Sequence, residues 1–179
     1  MAGQLKMGEP ELRRRLLDFD REVSLLYPGQ HFHLVLAGGG ALLLMGYLSR
    51  STEDMDALKS SPELAALMHK YDINNRVAGV YADHFPYNWE DRIVPLDIET
   101  MAIKCFTASL EDVVASKLCS DRINDEFDVR RPEVVAAVDW DLLEQAAAEM
   151  ELSQLNPRRY REFTISYEAY RKEYAPCDS

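Results

Sequence analysis

The stretch that most constrains this chain runs from Leu34 to Leu58 and reads LVLAGGGALLLMGYLSRSTEDMDAL. A short apolar run over His33 to Ala37 predicts a buried strand, and the glycines Gly38, Gly39 and Gly40 turn it tightly into a helix from Ala41 to about Leu48. After Arg50, Ser51 and Thr52 come Asp54 and Asp56, with one residue between them. Side chains two apart on a strand share a face. A second strand from Thr52 to Leu58 therefore carries both carboxylates on one side and Met55 and Ala57 on the other. Strand, glycine turn, helix and strand in this order predict an α/β domain.

The chain has 179 residues, enough for one domain that buries a substantial core. It is 47% hydrophobic and 28% charged, the balance of a folded protein rather than of a disordered one. Its longest apolar stretch, Leu34 to Leu48, is broken by glycines and too short to span a bilayer. No basic segment followed by an apolar core and a cleavage site opens the sequence, so the expectation is a cytoplasmic protein that does not bind membranes. Cys105, Cys119 and Cys177 lack the spacing of a zinc site or a disulfide framework, and read as two small core residues and one on the tail. A formal net charge of −11 excludes general nucleic-acid binding through the overall field. Contact with RNA would need a local patch, and the densest basic clusters are Arg13 to Arg15, Arg130 with Arg131, and Arg158 to Arg161.

In chain order, Leu12, Leu16, Phe19, Val23 and Leu26 recur four and three apart, which predicts an amphipathic helix over Glu9 to Leu26 that ends at Pro28 and Gly29. Pro62 opens a helix running to about Tyr71, and Asn74 to Gly79 is rich in turn residues. Tyr81 to Glu90 forms an aromatic loop with Asp83 and His84. Arg92 to Ile98 and Ala102 to Phe106 read as a hairpin, with Asp97 a candidate third carboxylate. Ser109 caps a helix with Glu111 and Asp112 in its first turn and Lys117 near its end. The acidic and basic alternation from Asp121 to Asp128 reads as a helix start laced with ion pairs. From Pro132 the chain is helical, with Asp139 as a cap and a last helix from Asn156-Pro157 to about Tyr174. The prediction is a single domain over residues 1–179: an N-terminal helix over 1–30, a core over 31–130 and C-terminal helices over 131–179.

Glycines between a strand and a helix allow close backbone approach to a phosphate, although a tight turn also calls for them. No Gly-Lys-Ser/Thr follows, so this is not a P-loop, and the dinucleotide fingerprint is also missing. Two aspartates on one strand face suit a divalent cation that carries a polyphosphate. The alternative for Glu53, Asp54 and Asp56 is a solvated acidic loop with Thr52 as a cap.

The order of motifs resembles the DUF6036-type nucleotidyltransferase-fold proteins, which are related to the nucleotidyltransferase toxins of abortive-infection type IV systems and to mycobacterial toxins that modify transfer RNA. Gly38-Gly39-Gly40-Ala41, Gly46, Arg50, Thr52, Asp54 and Asp56 match the first half of the pattern. Lys117-Leu118, Arg122, Asp125, Asp128 and Val129 match the second. The resemblance covers roughly Leu34 to Leu152 and implies a small mixed β-sheet flanked by helices with a mostly helical C-terminal part. It also implies a catalytic set of Asp54, Asp56, Lys117 and Asp125, with Asp54 and Asp56 binding Mg²⁺ or Mn²⁺. Nucleotide binding would fall to Gly38, Gly39, Gly40, Arg50, Thr52, Arg122 and Asp128, with Lys117 on the triphosphate. On that basis Asp97 becomes second choice to Asp125.

Three departures stand out. Gly39-Gly40 replaces a common Gly-Ser, Arg50 lies one residue farther from Gly46 than is usual, and Asn124 replaces a small residue or Lys. The function expected is transfer of a nucleoside monophosphate from an NTP to an acceptor hydroxyl, on transfer RNA or other RNA, by a toxin-like enzyme with a cognate antitoxin protein as partner. Two alternatives are an inactive nucleotide-binding or protein-interaction module, and a small-molecule nucleotidyltransferase of the antibiotic-modifying type.

Overall fold

A computed structural model describes residues 6–153 and 155–176. These residues form two compact units between which the chain passes more than once. The first comprises the chain as far as Ala82 together with Ile93–Ala108, and the second comprises Asp83–Arg92 together with the chain from Ser109 onward. Cys177 lies outside the described residues.

In the first unit, α1 (Glu9–Leu26) has the bounds that its periodicity predicts, and it buries Leu12, Leu16, Phe19 and Val23. β1 (Phe32–Ala37) leads into α2 (Gly38–Leu44), then β2 (Met55–Ser60), α3 (Ala65–Met68), β3 (Ile73–Asn74), α4 (Arg76–Val80), β4 (Val94–Pro95) and β5 (Ile103–Thr107). The strands form a mixed five-stranded sheet in the order β3-β2-β1-β5-β4. β1 is antiparallel to β2 and parallel to β5, β2 is parallel to β3, and the predicted hairpin appears as antiparallel β4 and β5. A bulge between Val35 and Leu36 lets Ala57 and Leu58 both be buried, although they are consecutive.

Three local expectations are corrected. The glycine run does not precede the helix but forms its first turn, and α2 stops at Leu44 instead of Leu48. The stop is a Schellman turn: Gly46 takes φ 84° while its N–H bonds to Leu43 O and that of Tyr47 to Leu42 O. The helix predicted after Pro62 is a single α turn, α3, between two 3-10 turns, and ends where Asp72 enters the left-handed region at φ 55°. The segment read as turns from Asn74 contains instead the end of an edge strand and the short helix α4.

One buried carboxylate organises the entry to β5. Asp20, on the inner face of α1, accepts hydrogen bonds from the backbone N–H groups of Met101, Ala102 and Ile103 at 2.7, 2.9 and 2.7 Å. It satisfies donors that the sheet leaves unpaired.

The second unit is helical: α5 (Leu110–Leu118), α6 (Ile123–Val129), α7 (Pro132–Ala137), α8 (Trp140–Glu149) and α9 (Pro157–Tyr174). Ser109, Asp139 and Asn156 cap α5, α8 and α9 through side-chain oxygens. Buried Tyr170 ties α9 to the C-terminal end of α6 by donating to Val129 O at 2.8 Å. Cys105 in the first unit and Cys119 in the second are both buried, and burial pushes each thiol up to about 12.

The second unit is pinned by an ion network that no local sequence pattern announces. Arg92 bonds Asp112 through Nε at 3.2 Å and Nη2 at 2.7 Å, and reaches Glu149 at 3.0 and 2.8 Å. Ser109 Oγ donates to Asp112, and the Asn88 N–H donates to Glu149. Burial alone would lower the Arg92 pKa, but the hydrogen bonds to Glu149 and Asp112 raise it. The hydrogen bond from Arg92 holds the Glu149 carboxyl below its usual range. Its stabilisation is thus complete above the unfolded value of about 4.3 and is lost as pH falls through the depressed folded value. Glu149→Gln is expected to cost about 2 kcal/mol at pH 7, with the difference from wild type shrinking towards pH 3. Urea unfolding of both proteins across pH 3 to 7 checks this.

Candidate functional site

Asp54 and Asp56 project from the same side of the chain around the start of β2, and Met55 and Ala57 are fully buried on the other, as alternation requires. Register puts Ala37 opposite Asp56, so the last residue of β1 delivers the glycine turn beside the carboxylates. Gly38 has φ 66°, and a Cβ built on it would stand 2.5 Å from Asp56 Oδ2. The reason for this glycine is therefore written in the fold: its backbone conformation disfavours a side chain, and the space one would occupy belongs to Asp56. A Cβ on Gly39 would lie 2.9 Å from Arg50 Nη2, and one on Gly40 would lie 3.5 Å from the Asp54 carbonyl. Gly38 and Gly39 thus admit Asp56 and Arg50 to one turn, whereas at Gly40 a Cβ would be in ordinary contact.

The carboxylates also share a partner absent from the sequence-based set. Asn74, paired with Asp56 across β2 and β3, donates through Nδ2 to Asp54 Oδ2 at 2.9 Å and to Asp56 Oδ1 at 3.0 Å. Its Oδ1 accepts the Arg76 N–H at 3.1 Å, which fixes which way the amide faces. One point in space is hence within hydrogen-bond reach of both aspartates. A single asparagine at the end of a two-residue strand has no periodicity to announce it. The available signal was its place one β-strand after a DxD.

An oxygen-only pair directed at one point is a donor set for a hard divalent cation, which in phosphoryl-transfer sites takes one or two carboxylates and completes its shell with water and phosphate oxygens. Among the described residues no third His, Cys, Asp or Glu joins them, so Asp54 and Asp56 could hold Mg²⁺ or Mn²⁺ only with such added oxygens. Asp97 does not supply a third carboxylate. It is exposed beyond β4, at the opposite edge of the sheet from β3, and its carbonyl accepts from Arg13 at 2.9 Å. The remaining first-half residues have internal partners. Thr52 Oγ1 donates to the Asp54 carbonyl at 3.2 Å and its backbone pairs with Met7, while Arg50 Nη1 donates to Ser51 O at 3.2 Å.

The second-half residues cluster within the helical unit. Lys117, near the C-terminal end of α5, is 6% exposed and donates to Asp125 and, at 3.0 Å, to Asp128 Oδ2. Ser120 Oγ donates to Asp125 at 2.7 Å, and Arg122 Nε stands 3.6 Å from the same carboxylate with its own side chain 78% exposed. Within the segment read as a helix start laced with ion pairs, Asp125 and Asp128 are buried and form a triad with Lys117, roofed by an exposed arginine.

The basic clusters are largely paired with acids. Arg13 and Arg15 bond Glu9 and Glu11, and Arg15 also reaches Asp72. Arg130 pairs with Glu126 and Glu173, Arg158 with Glu162, and Arg159 with Asp121. In the aromatic loop Phe85 is buried and Tyr87 is 62% exposed. No helix among the described residues is long and apolar enough to cross a membrane.

The model of the family described as "Nucleotidyltransferase of unknown function (DUF6036)" matches residues 14–175. No curated protein and no solved structure matches the chain. Gly38→Ala is expected to destabilise the protein by about 2 kcal/mol, from the left-handed backbone and the displaced Asp56. Gly79, a glycine with open space around it, provides the control, since Gly79→Ala in α4 should lower the thermal midpoint by less or not at all.

Proposed function

The chain belongs to the DUF6036 family of nucleotidyltransferases of unknown function, and from that premise we propose that it transfers a nucleoside monophosphate from an NTP to an acceptor hydroxyl with Mg²⁺ or Mn²⁺ as cofactor. The observation that carries this reading is the convergence of Asp54 and Asp56 on one point beside the Gly38 turn. Asp54 and Asp56 hold the cation together with the triphosphate. The chemistry the bound cation supplies is neutralisation of phosphate charge and a lowered pKa for a hydroxyl at the metal.

In the transfer, the acceptor oxygen forms a bond to the α-phosphorus and the bond between that phosphorus and the α–β bridging oxygen breaks. Pyrophosphate leaves, and the hydroxyl proton passes to water. Gly38 and Gly39 keep the turn free of side chains so that Asp56 and Arg50 retain their places. The family resemblance gives Lys117 a triphosphate contact. Asp125 and Asp128 position that ammonium, and Arg122 stands against the Asp125 carboxylate.

The acceptor that the resemblance favours is RNA, such as a transfer RNA end, with the enzyme acting in the cytoplasm as a toxin restrained by an antitoxin protein. A second reading has a specific observation in its favour. Most arginines of the basic clusters pair with carboxylates of the chain itself, in a chain of net charge −11, which suits a small molecule or a protein hydroxyl better than a phosphate backbone.

Incubation with each α-³²P NTP and Mg²⁺, in the presence of total RNA, a panel of hydroxylated small molecules or a protein extract, tests both. Label is expected in one acceptor class, falling at least ~100-fold in Asp56→Ala, a loss on the scale of a major electrostatic contribution to the transition state. Label in RNA supports the first acceptor and label elsewhere the second. Nucleotide binding without any label contradicts transfer and leaves a binding module.

A further inference from the structure

Asn74 has the geometry of a third member of the carboxylate site, and nothing in the family pattern includes it. It is the β3 residue paired with Asp56, its amide nitrogen touches both carboxylates, and its amide oxygen is engaged by the Arg76 N–H. We propose that Asn74 is the third polar group of the divalent-cation site, and that its neutrality keeps the free protein's grip on the cation weak. The inference rests on the reading of Asp54 and Asp56 as the cation's ligands.

Two carboxylates directed at one point repel each other unless something positive lies between them. Without a cation, the partial positive charge of the Asn74 NH₂ contributes to that role. It holds the pair in register at a small fraction of the electrostatic gain that a full charge gives. A half-turn of the side-chain amide exchanges Nδ2 for Oδ1 and puts an oxygen where the donor stood. The exchange turns Nδ2 towards the Arg76 N–H, donor against donor, so the amide must also move off that N–H, whose exposed position lets water take the bond. The same residue is thereby a placeholder in the empty site and an oxygen donor in the loaded one.

Charge count tunes the affinity of an oxygen site. With Asn74 the site carries two formal negative charges, and with aspartate it would carry three. Gly38, lacking a Cβ, leaves Asp56 the space its carboxylate occupies, and a carboxylate in place of the Asn74 amide would set a third like charge where Nδ2 now stands, 2.9 Å from Asp54 and 3.0 Å from Asp56. Asn74→Asp should therefore bind a divalent cation more tightly and be less stable without one.

The test uses Mn²⁺ alone, followed by electron paramagnetic resonance of the free ion, on the full chain and on Asn74→Asp and Asp56→Asn. Thermal unfolding is recorded in EDTA and in Mn²⁺. The expected result is at least ~10-fold tighter Mn²⁺ binding by Asn74→Asp, with a midpoint below wild type in EDTA that recovers in Mn²⁺. Equal Mn²⁺ affinity of Asn74→Asp and wild type, with Asp56→Asn weakened, overturns the role of Asn74 and leaves the aspartates as ligands. Unchanged Mn²⁺ binding by Asp56→Asn overturns the reading of the aspartates themselves.

Should Asn74→Asp not fold, the wild-type Asn74 NH₂ signal decides. Assigned by its loss in Asn74→Ser, it should shift on saturation with Mg²⁺. A signal that stays in place refutes the exchange.

Discussion

Everything specific about the first unit depends on how closely β1 and β2 bring backbone to carboxylate. The antiparallel register opposes Ala37 and Asp56, so the turn that follows β1 must pass over the Asp56 side chain. Only a residue without Cβ can do so at φ 66° with a carboxylate oxygen where the Cβ would be. The glycine and the aspartate are thus a complementary pair, and the sheet register is what makes them one. Asn74 completes the arrangement from the other neighbour of β2. The turn after β1, the start of β2 and the end of β3 thus meet at the two carboxylates.

Buried charge organises the second unit as well. Arg92 joins the 83–92 segment to α5 and α8 by way of Asp112 and Glu149, and Lys117 joins α5 to α6 by way of Asp125 and Asp128. Such groups lose their hydration on folding and hold their place only if every charge is matched. Around Arg92 one guanidinium faces two carboxylates, and Ser109 and Asn88 supply further donors. Around Lys117 a similar excess of negative charge is met by Ser120 and Arg122.

The features legible in the sequence are those with a period or a cap. α1 and α9 have the predicted bounds because an apolar stripe, a proline start and the Asn156 cap mark them. The DxD pair is legible because strand alternation leaves it only one side to face. Elements made by tertiary contact were not legible. β3 is two residues long and exists because β2 offers it an edge, so Asn74 read as a turn. The bend after Pro62 ends at Asp72, whose carboxylate meets Arg15 of α1. Arg92 looked like a strand residue because nothing local points to Asp112 and Glu149. The family resemblance grouped Lys117, Asp125 and Asp128 but did not show that the lysine would be buried between them.

The central claim is that Asp54 and Asp56 together hold a cation that carries a nucleotide. Anomalous diffraction from crystals of the full chain grown with Mn²⁺ and a non-hydrolysable NTP tests it most directly. The account predicts a manganese peak within ligand distance of both carboxylates, about 2 Å from each coordinating oxygen, with phosphate oxygens completing its shell. A nucleotide bound with no manganese at Asp54 and Asp56, or with manganese held by other residues, would contradict it.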